Sequence, residues 1–215
     1  MGKPSSAALK ALALRDPALG RAMARLEPLP DFPGTDPPGV RSHFAYLLRA
    51  IAHQQLAGKA AETIWGRVCR LTPGAHAPRP EEVIELGEER LRSAGLSGAK
   101  AAAFLDLAAR TLDGRLRLRG CARLSDDEII SRLVEVRGIG EWSAQMFLLF
   151  RLGRLDVLSP ADLGIQEGLR ILDGLHDRPT AKELALRGER WRPLASVGCW
   201  LMWRLVDEAR ASSCS

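Results

Sequence analysis

The chain has 215 residues, which is enough for one sizeable hydrophobic core or for two small helical lobes. Its 31 lysines and arginines exceed its 26 aspartates and glutamates, and the net charge of +5 is weak support for contact with phosphate groups. No run approaches the roughly 20 apolar residues of a membrane span, and Cys69, Cys121, Cys199 and Cys214 lack the close spacing of a zinc ribbon or an iron–sulfur centre.

Helix-forming residues dominate the chain from end to end. Alanine, leucine, arginine and glutamate are abundant, and few stretches alternate between apolar and polar residues, so we predict an all-α fold. Two connectors rich in proline and glycine are expected at Pro28–Gly39 and Thr72–Pro80, and the segment Arg115–Leu124 is compatible with an extended strand. The predicted helices are 5–15, 17–27, 41–55, 57–71, 80–86, 88–94, 98–112, 126–136, 141–152, 162–173, 180–188 and 191–210.

The first nineteen residues, MGKPSSAALKALALRDPAL, contain no long apolar core of the kind that a signal peptide needs. The dispersed cysteines are typical of buried thiols in a reducing compartment. We therefore expect a cytoplasmic protein.

Within Ser42–Leu71, an apolar helical stripe is interrupted by His53, Gln54 and Gln55. Two adjacent glutamines at this place have two explanations. They form a polar surface turn, or they belong to a finger that enters a stack of bases and fills the gap behind a displaced nucleotide. In isolation the sequence favours the plain turn.

A helical hairpin with a glycine turn is predicted at LVEVRGIGEWSA, residues 133–144. The helix before it starts with a capping box, in which Ser125 and Glu128 bond to each other's backbone amides. Gly138 and Gly140 permit a turn too sharp for residues with a Cβ atom, and they expose amides beside the next helix N-terminus. This arrangement would bind phosphate without a cationic side chain, although an ordinary helical hairpin with a glycine cap gives the same local pattern.

The helix after the turn, 141–152, is apolar on nearly every side, which predicts that it is buried. The following segment, DVLSPADLGI at 156–165, places Asp162 at the start of another helix. An aspartate at this position is either the helix N-cap or a carboxylate that acts on a nucleotide, and the two roles are compatible. Without the preceding hairpin, the N-cap is the favoured interpretation.

Taken together, HQQLAGKAA, VRGIGEWSA and the spaced residues Pro160, Asp162 and Ile165 resemble the helix-hairpin-helix–GPD superfamily of DNA base-excision glycosylases. The chain is most similar to the alkylated-base branch, 3-methyladenine DNA glycosylase II, and the resemblance covers about Ser42 to Arg210. It implies two helical lobes with an active-site cleft between them. One lobe would be 43–158, with the hairpin at 125–153, and the other would combine 1–42 with 159–215.

Bacterial members of this branch often carry an extra N-terminal β-rich domain. The sequence begins too close to the helical core for such a domain, so we expect a compact, single-module member.

The resemblance implies a monofunctional DNA glycosylase. Such an enzyme flips an alkylated base, of the 3-methyladenine or 7-methylguanine type, out of the duplex and hydrolyses its bond to the sugar, leaving an abasic site for base excision repair. The family's functional positions correspond to Asp162 as the catalytic residue, Trp142, Trp203 and Met146 as the base pocket, Gly138, Gly140 and Ser143 as the phosphate grip, and Gln55 or Leu56 as the wedge.

Three features separate the chain from other branches. Where the strand-cutting branch has a lysine nucleophile, this sequence has Trp142, which predicts hydrolysis without strand cleavage. The C-terminal cysteine cluster of iron–sulfur members is missing from the sequence. Met146 stands where this branch often has an aromatic residue, which predicts a different base selectivity. The other tryptophans, Trp65, Trp191 and Trp200, are assigned to the core.

The chemistry of an alkylated purine fits a single carboxylate. The N3- or N7-alkylated base is a cation and leaves as a neutral molecule, so it needs little help from a general acid. What remains is to stabilise the cationic sugar and to orient water, which an ionised Asp162 can do. The cationic base itself would stack well on tryptophan rings.

We expect double-stranded DNA with alkylated bases as the partner, no membrane contact, and a monomer. No cofactor is required, although the resemblance implies a structural Na⁺ or K⁺ bound by the backbone carbonyls of Val134, Val136 and Ile139. Two alternatives belong to other classes: a non-catalytic helix-hairpin-helix module that only binds DNA, and an all-α scaffold with no role in nucleic-acid chemistry.

Overall fold

The computed structural model describes residues 3–26 and 40–213. The predicted connector Pro28–Gly39 and Cys214 lie outside the described residues. Every regular element in the described part is helical, which confirms the all-α prediction. The α-helices are α1 Ser6–Arg15, α2 Pro17–Arg25, α3 His43–His53, α4 Gly58–Arg70, α5 Pro80–Ser93, α6 Gly98–Leu112, α7 Asp126–Leu133, α8 Glu141–Met146, α9 Leu163–Asp173, α10 Ala181–Gly188 and α11 Ala195–Ser213.

The predicted break between 86 and 88 is confirmed, because Gly87 interrupts α5 with a φ of +65°. The segment Arg115–Leu124, for which the sequence is ambiguous, forms bends and a 3₁₀ turn at Cys121–Arg123 rather than a strand. One helix prediction needs a correction. The helix predicted at 141–152 is α8 followed by a π-helical turn at Phe147–Arg151.

Helix starts follow the capping residues in the sequence. Ser125 and Glu128 form the predicted capping box of α7, and Thr180 and Glu183 form another at the start of α10. Each box satisfies two backbone amides that the helix itself leaves without a partner. Ser42, in the same way, accepts a hydrogen bond from the amide of Ala45 at the start of α3. These local bonds explain why the predicted N-termini agree with the observed ones to within a few residues.

The described residues form two compact units. One unit, which we call the terminal unit, combines residues 3–26 with 148–213 and contains α1, α2, α9, α10 and α11. The other, the central unit, comprises residues 40–147 and contains α3 to α8. The helices at the two ends of the sequence therefore belong to the same unit. No helix within the described ranges is long and apolar enough to cross a membrane.

The core of the terminal unit joins residues that are far apart in sequence. Leu12 of α1 and Leu19 of α2 pack in one cluster with Ile165 of α9, with Trp191 of the 3₁₀ turn Glu189–Trp191, and with Met202 of α11. Helices α9 and α11 approach each other closely at Gly168, where a Cβ atom would lie only 2.3 Å from the carbonyl oxygen of Met202. A glycine at this position is therefore a requirement of the packing.

A buried ionic network fixes α2 to the C-terminal half of the terminal unit. Asp16 is 1% exposed, caps α2 through the amide of Leu19, and accepts hydrogen bonds from Arg187 and from the indole of Trp191 at 2.9 Å. Arg187 also pairs with Asp173 at 2.8 Å. Burial alone would raise the pKa of Asp16, but the hydrogen bonds from Arg187, Leu19 and Trp191 outweigh it and lower the pKa below 3.8. The ionised carboxylate therefore stabilises the folded state.

We predict that Asp16→Asn lowers the free energy of unfolding by about 3 kcal/mol at pH 7, because it removes one partner of a buried ion pair. The folded pKa is depressed, so the contribution is present above about pH 4 and is lost as the pH falls through the folded pKa. Urea unfolding at pH 7 and pH 3 measures the free energy of unfolding of both proteins. The difference between wild type and Asp16→Asn should be smaller at pH 3. Asp113→Asn, which removes an exposed ion pair with Arg115, is the control and should change stability little. An equal loss for both variants would contradict the assignment.

In the central unit, α3 packs on α4 and α6, α5 packs on α6, and α7 packs on α8. The edges of the His43 and Tyr46 rings meet Phe147, with ring centroids 5.5 and 5.8 Å apart. These contacts hold α3 beside the end of α8. The predicted buried thiols are confirmed for Cys121 and Cys199, whereas Cys69 is only partly buried.

Candidate active site

The turn between α7 and α8 has the sharp geometry that its glycines predict. Gly138 has a φ of +78°, in the region that residues with a Cβ atom rarely adopt. The amide of Ile139 donates to the carbonyl of Val136 at 3.0 Å, and this bond closes the turn. A Cβ atom on Gly138 would also lie 3.1 Å from the Cβ of Ala103 on α6. The turn therefore requires glycine at 138 for both its dihedral angle and its packing.

Gly140 has a different role, and the prediction that the sharp turn also requires glycine at this position was wrong. This residue is the N-cap of α8 with an ordinary φ of −95°, and nothing lies within 4 Å of the place a Cβ would take. Since glycine has no side chain, no serine or aspartate oxygen occupies the capping position. The first intrahelical bond runs from Ala144 to the carbonyl of Gly140 at 3.1 Å, so the amides of residues 141–143 are not used by the helix ladder. An anion can take the place of a cap at this open N-terminus.

An acidic side chain from α6 binds the backbone of the turn. Asp106 accepts a hydrogen bond from the backbone amide of Arg137 at 2.8 Å and pairs with Arg110 at 3.1 Å. Arg110 also pairs with Glu135 at 3.1 Å. The backbone of the turn is thus fixed by a network of charged groups from a helix that is remote in sequence.

The loop that carries the predicted wedge lies between α3 and α4. Gln55 is exposed and has a φ of +55°, and Leu56 is 39% exposed although it is a large apolar residue. The predicted helix 41–55 was therefore too long, since α3 ends at His53. Both wedge candidates therefore lie at the surface.

The three residues whose backbone carbonyls were predicted to bind a cation, Val134, Val136 and Ile139, lie between α7 and α8. Val134 is the C-cap of α7, Val136 accepts the bond from Ile139, and Val136 and Ile139 have buried side chains. No group of three or more His, Cys, Asp or Glu side chains within residues 3–26 and 40–213 is arranged to bind a metal ion.

We predict that Gly138→Ala and Gly140→Ala differ in stability. At Gly138 the substitution should lower the free energy of unfolding by about 1–3 kcal/mol, because alanine is strained at this φ. At Gly140 the expected change is within about 0.5 kcal/mol, because the Cβ meets no atom. Chemical unfolding of both variants measures this, and equal losses would mean that the turn is not constrained as described.

Asp162 is the N-cap of α9, as the sequence predicted. Its side chain is buried, with the residue 8% exposed. The oxygen Oδ1 accepts a hydrogen bond from the amide of Ile165 at 2.9 Å and a second from the indole Nε1 of Trp203 at 3.1 Å. The carboxylate is therefore held in one orientation by a backbone donor and a side-chain donor.

Trp203 reaches this carboxylate because Gly164 leaves room for its ring. A Cβ atom on Gly164 would lie 2.9 Å from Cδ1 and 3.1 Å from Nε1 of the indole. The ring also stacks on Phe150, with centroids 5.7 Å apart and an interplanar angle of 23°. The indole is thus positioned by a stacking partner on one side and by a glycine on the other.

The other predicted pocket residues lie in α8. Trp142 is 46% exposed and Met146 is buried. The expectation that this helix is buried on every side was therefore wrong at its first turn, where Glu141 and Trp142 face solvent. Trp65 and Trp191 are buried, as predicted for core residues. Trp200 is only partly buried and lies under the guanidinium of Arg204, 5.5 Å from its ring centroid.

We predict that Gly164→Ala breaks the bond between Trp203 and Asp162, because the new methyl group and the indole cannot occupy the same space. The indole N–H resonance of Trp203 should shift in a ¹H–¹⁵N spectrum, and its exchange with solvent should become faster. Gly58→Ala is the control, since nothing lies within 4 Å of its Cβ position. An unchanged Trp203 resonance in Gly164→Ala would show that the close approach is not required.

Comparison with known proteins identifies the family. The model of the HhH-GPD superfamily base excision DNA repair proteins matches residues 48–193, which include the wedge loop, the hairpin and Asp162. The chain belongs to the HhH-GPD superfamily. This confirms the family that the sequence motifs predicted.

Relatives in this superfamily resemble the chain over most of its length. DNA-3-methyladenine glycosylase 1 of Schizosaccharomyces pombe is 35% identical over 159 residues, covering 74% of this chain and 70% of the relative. A putative DNA-3-methyladenine glycosylase of Bacillus subtilis is 30% identical over 166 residues, covering 75% of this chain and 58% of the relative. Both names belong to the alkylated-base branch.

Two solved structures share the fold almost completely. A 3-methyladenine DNA glycosylase of S. pombe, solved in complex with abasic DNA, has a TM-score of 0.80 and 30% identity, with 93% of this chain and 96% of that chain covered. A DNA-3-methyladenine glycosidase of Bacillus halodurans has a TM-score of 0.79 and 32% identity, with 94% and 90% covered.

The site residues that the sequence predicted fall into two groups in the structure. In the central unit, Gly138 and Ser143 of the hairpin lie close to the loop with Gln55, because the side chain of Gln54 bonds to both hairpin residues. In the terminal unit, Asp162 is bonded to Trp203. Sequence reasoning missed the supporting residues Asp106, Lys100 and Gly164, and it noticed Gln54 only as one of a polar pair. Of the three missed residues, only Gly164, a glycine inside the first turn of a helix, has a local sequence signal.

Proposed function

We propose that the chain is a monofunctional DNA glycosylase that excises alkylated bases, of the 3-methyladenine and 7-methylguanine type, and leaves an abasic site. The observation that carries the proposal is the buried carboxylate of Asp162, held at Oδ1 by the Ile165 amide and the Trp203 indole. The names of the S. pombe and B. subtilis relatives support the same substrate class.

In this reaction the bond between the sugar carbon C1′ and the base nitrogen breaks, and its electron pair stays on the base. An alkylated purine is already cationic, so it leaves neutral, and the positive charge passes to the sugar. Asp162 stabilises that charge, and water then adds to C1′ and loses a proton. Two donors on one carboxylate oxygen fix the orientation of the group before the charge develops, so little reorganisation is required.

The base contacts proposed for Trp142, Met146 and Trp203 follow from the charge of the lesion. A cationic base is attracted to the face of an indole ring, whereas an undamaged neutral base gains less. Met146, a flexible thioether where this branch often has a ring, would accept bases of more varied shape. Trp142 also replaces the lysine that forms a Schiff base in the strand-cutting branch, which supports hydrolysis alone.

The hairpin is proposed to hold a DNA phosphate through the amides at Gly138, Gly140 and Ser143. Gly140 has no side chain, so the backbone can approach the phosphate closely, and an anion there would cap α8. The wedge is Gln55 or Leu56, both exposed at the loop between α3 and α4. The side chain that fills the vacated space offsets part of the cost of flipping the nucleotide.

A monovalent cation at the hairpin fits the donors that the turn offers. The carbonyls of Val134, Val136 and Ile139 are neutral oxygen ligands of the kind that suits Na⁺ or K⁺, and a bound ion would add positive charge near the phosphate. No other cofactor is proposed. We further propose that the protein acts as a monomer on double-stranded DNA of the cytoplasmic nucleoid.

The experiment that tests this function is incubation with a panel of duplex oligonucleotides, each with one lesion, followed by alkaline cleavage at abasic sites. We expect cleavage after alkali at alkylated purines and intact strands without alkali. A protein that binds these duplexes but releases no base would favour the non-catalytic DNA-binding module instead. A protein without any salt-dependent affinity for DNA would favour the scaffold.

We predict that Asp162→Asn lowers the rate of base release by at least about a hundredfold, because the charge that stabilises the cationic sugar is lost. The asparagine oxygen can still accept from Ile165 and Trp203, so the melting temperature and the affinity for DNA should change little. Single-turnover excision from a duplex with one lesion measures the effect.

The matched control is Asp177→Asn, at a solvent-exposed aspartate, which should keep the wild-type rate. Excision by Asp162→Asn at a rate close to wild type would exclude Asp162 as the catalytic residue.

A further inference from the structure

One glutamine side chain connects the loop between α3 and α4 to the hairpin. The amide nitrogen Nε2 of Gln54 donates to the carbonyl oxygen of Gly138 at 2.9 Å and lies 3.4 Å from the hydroxyl of Ser143. Gln54 and Gly138 are 84 positions apart in sequence. The bond joins the residue next to the wedge candidates to the tip of the predicted phosphate grip.

A lysine makes a second set of bonds to the same loop. The ammonium group of Lys100, on α6, donates to the carbonyl of Ala52 at 2.8 Å and to the carbonyl of Gln54 at 2.7 Å. Both carbonyls belong to the C-terminal end of α3, where the helix offers no amide partners. Bonds from a charged donor are stronger than those between neutral groups, so Lys100 caps this end firmly.

Gln55 lies directly after these bonded positions and has a φ of +55°, a conformation that costs free energy for a residue with a Cβ atom. Such a conformation persists only when its surroundings hold it in place. Here the holding groups act on the residue immediately before it, through the side chain of Gln54 toward the hairpin and through the carbonyl of Gln54 toward Lys100. The direction in which residues 55 and 56 project is therefore set by contacts outside the loop.

We propose that Gln54 is a positioning residue that couples the phosphate grip to the wedge, so that a duplex held at the hairpin meets a wedge already in place. The proposal rests on the proposed glycosylase function. Gln54 itself bonds to the hairpin backbone and does not touch the reacting atoms. Because the loop is ordered before DNA binds, less entropy is lost when the wedge enters the stack.

The substitution Gln54→Met tests this coupling. Methionine has a similar length and fills similar space, but it offers no donor to Gly138 or Ser143. Gln54→Asn, which keeps the amide and is one methylene shorter, is the second variant if the first does not fold. Thr72→Val is the matched control, because it removes a hydroxyl 2.8 Å from the carbonyls of Cys69 and His76 in the same unit.

The readout is single-turnover excision of one alkylated base, paired in a stable duplex or placed in a mismatch. For Gln54→Met we expect a loss of about threefold to tenfold on the paired substrate, the value of one net hydrogen bond. The loss at the mismatch should be less than about twofold, because a base that is already unstacked needs the wedge less. Thr72→Val should change both rates equally or not at all. Equal losses on both substrates for Gln54→Met would overturn the proposal.

Two further measurements do not depend on catalysis. Amide hydrogen exchange of the free protein should be faster in Gln54→Met than in wild type at residues 54–58 and at the hairpin, and unchanged in Thr72→Val. The affinity of Gln54→Met for a duplex with a tetrahydrofuran abasic analogue should be about threefold to tenfold lower than that of wild type. Its affinity for an undamaged duplex should change less. If wild-type protein excises no lesion, the glycosylase function fails, yet these two measurements still decide whether Gln54 couples loop and hairpin. Unchanged exchange in Gln54→Met would overturn the coupling even in an active enzyme.

Discussion

The hydrogen bond between the indole of Trp203 and the carboxylate of Asp162 is the interaction on which the candidate active site depends. It requires two helices of the terminal unit to meet with almost no space between them, and glycines at 164 and 168 of α9 permit that approach. The same oxygen that receives the indole also caps α9. The capping and catalytic interpretations of Asp162 therefore describe one geometry, because the bond that starts the helix also aims the carboxylate.

The hairpin in the central unit follows a related rule, with backbone groups in place of a carboxylate. Glycine is required at 138 by the dihedral angle and by Ala103, whereas no atom of the protein lies within 4 Å of the place that a Cβ of Gly140 would take. The turn is fixed by Asp106, which accepts a hydrogen bond from the amide of Arg137, and by Gln54, which donates one to the carbonyl of Gly138. The phosphate grip proposed for this hairpin would select for shape and charge and would carry no information about the base, as suits an enzyme that must examine any sequence.

The sequence predicted those parts of the molecule that are determined locally. The capping box at Ser125, the glycine break at 87 and the tight turn at 138 all act within a few residues, and each is found where it was expected. The resemblance to the family additionally predicted functional roles for Asp162 and for the hairpin.

The supporting residues were not predictable in this way. Asp106 and Lys100 are ordinary helical residues in sequence, and their roles arise only because α6 packs beside the hairpin and the end of α3. Gln54 was noticed as one of a polar pair, but nothing local distinguishes the glutamine that bonds inward from the one that faces solvent. The length of the helix after the hairpin was overestimated for the opposite reason: a continuous apolar run does not report a π-helical turn or an exposed first turn.

The discontinuous make-up of the terminal unit has a consequence for synthesis on the ribosome. The central unit is one continuous stretch, 40–147, so all of its helices are synthesised before residue 148 is added. Helices α1 and α2, by contrast, carry Leu12 and Leu19, whose packing partners come from α9 to α11 at the other end of the chain. Asp16 likewise cannot form its hydrogen bonds until Arg187 and Trp191 have been synthesised. At a translation rate of about 5–20 residues per second, these first helices remain without their core for several seconds, a period in which a chaperone has access to their apolar faces.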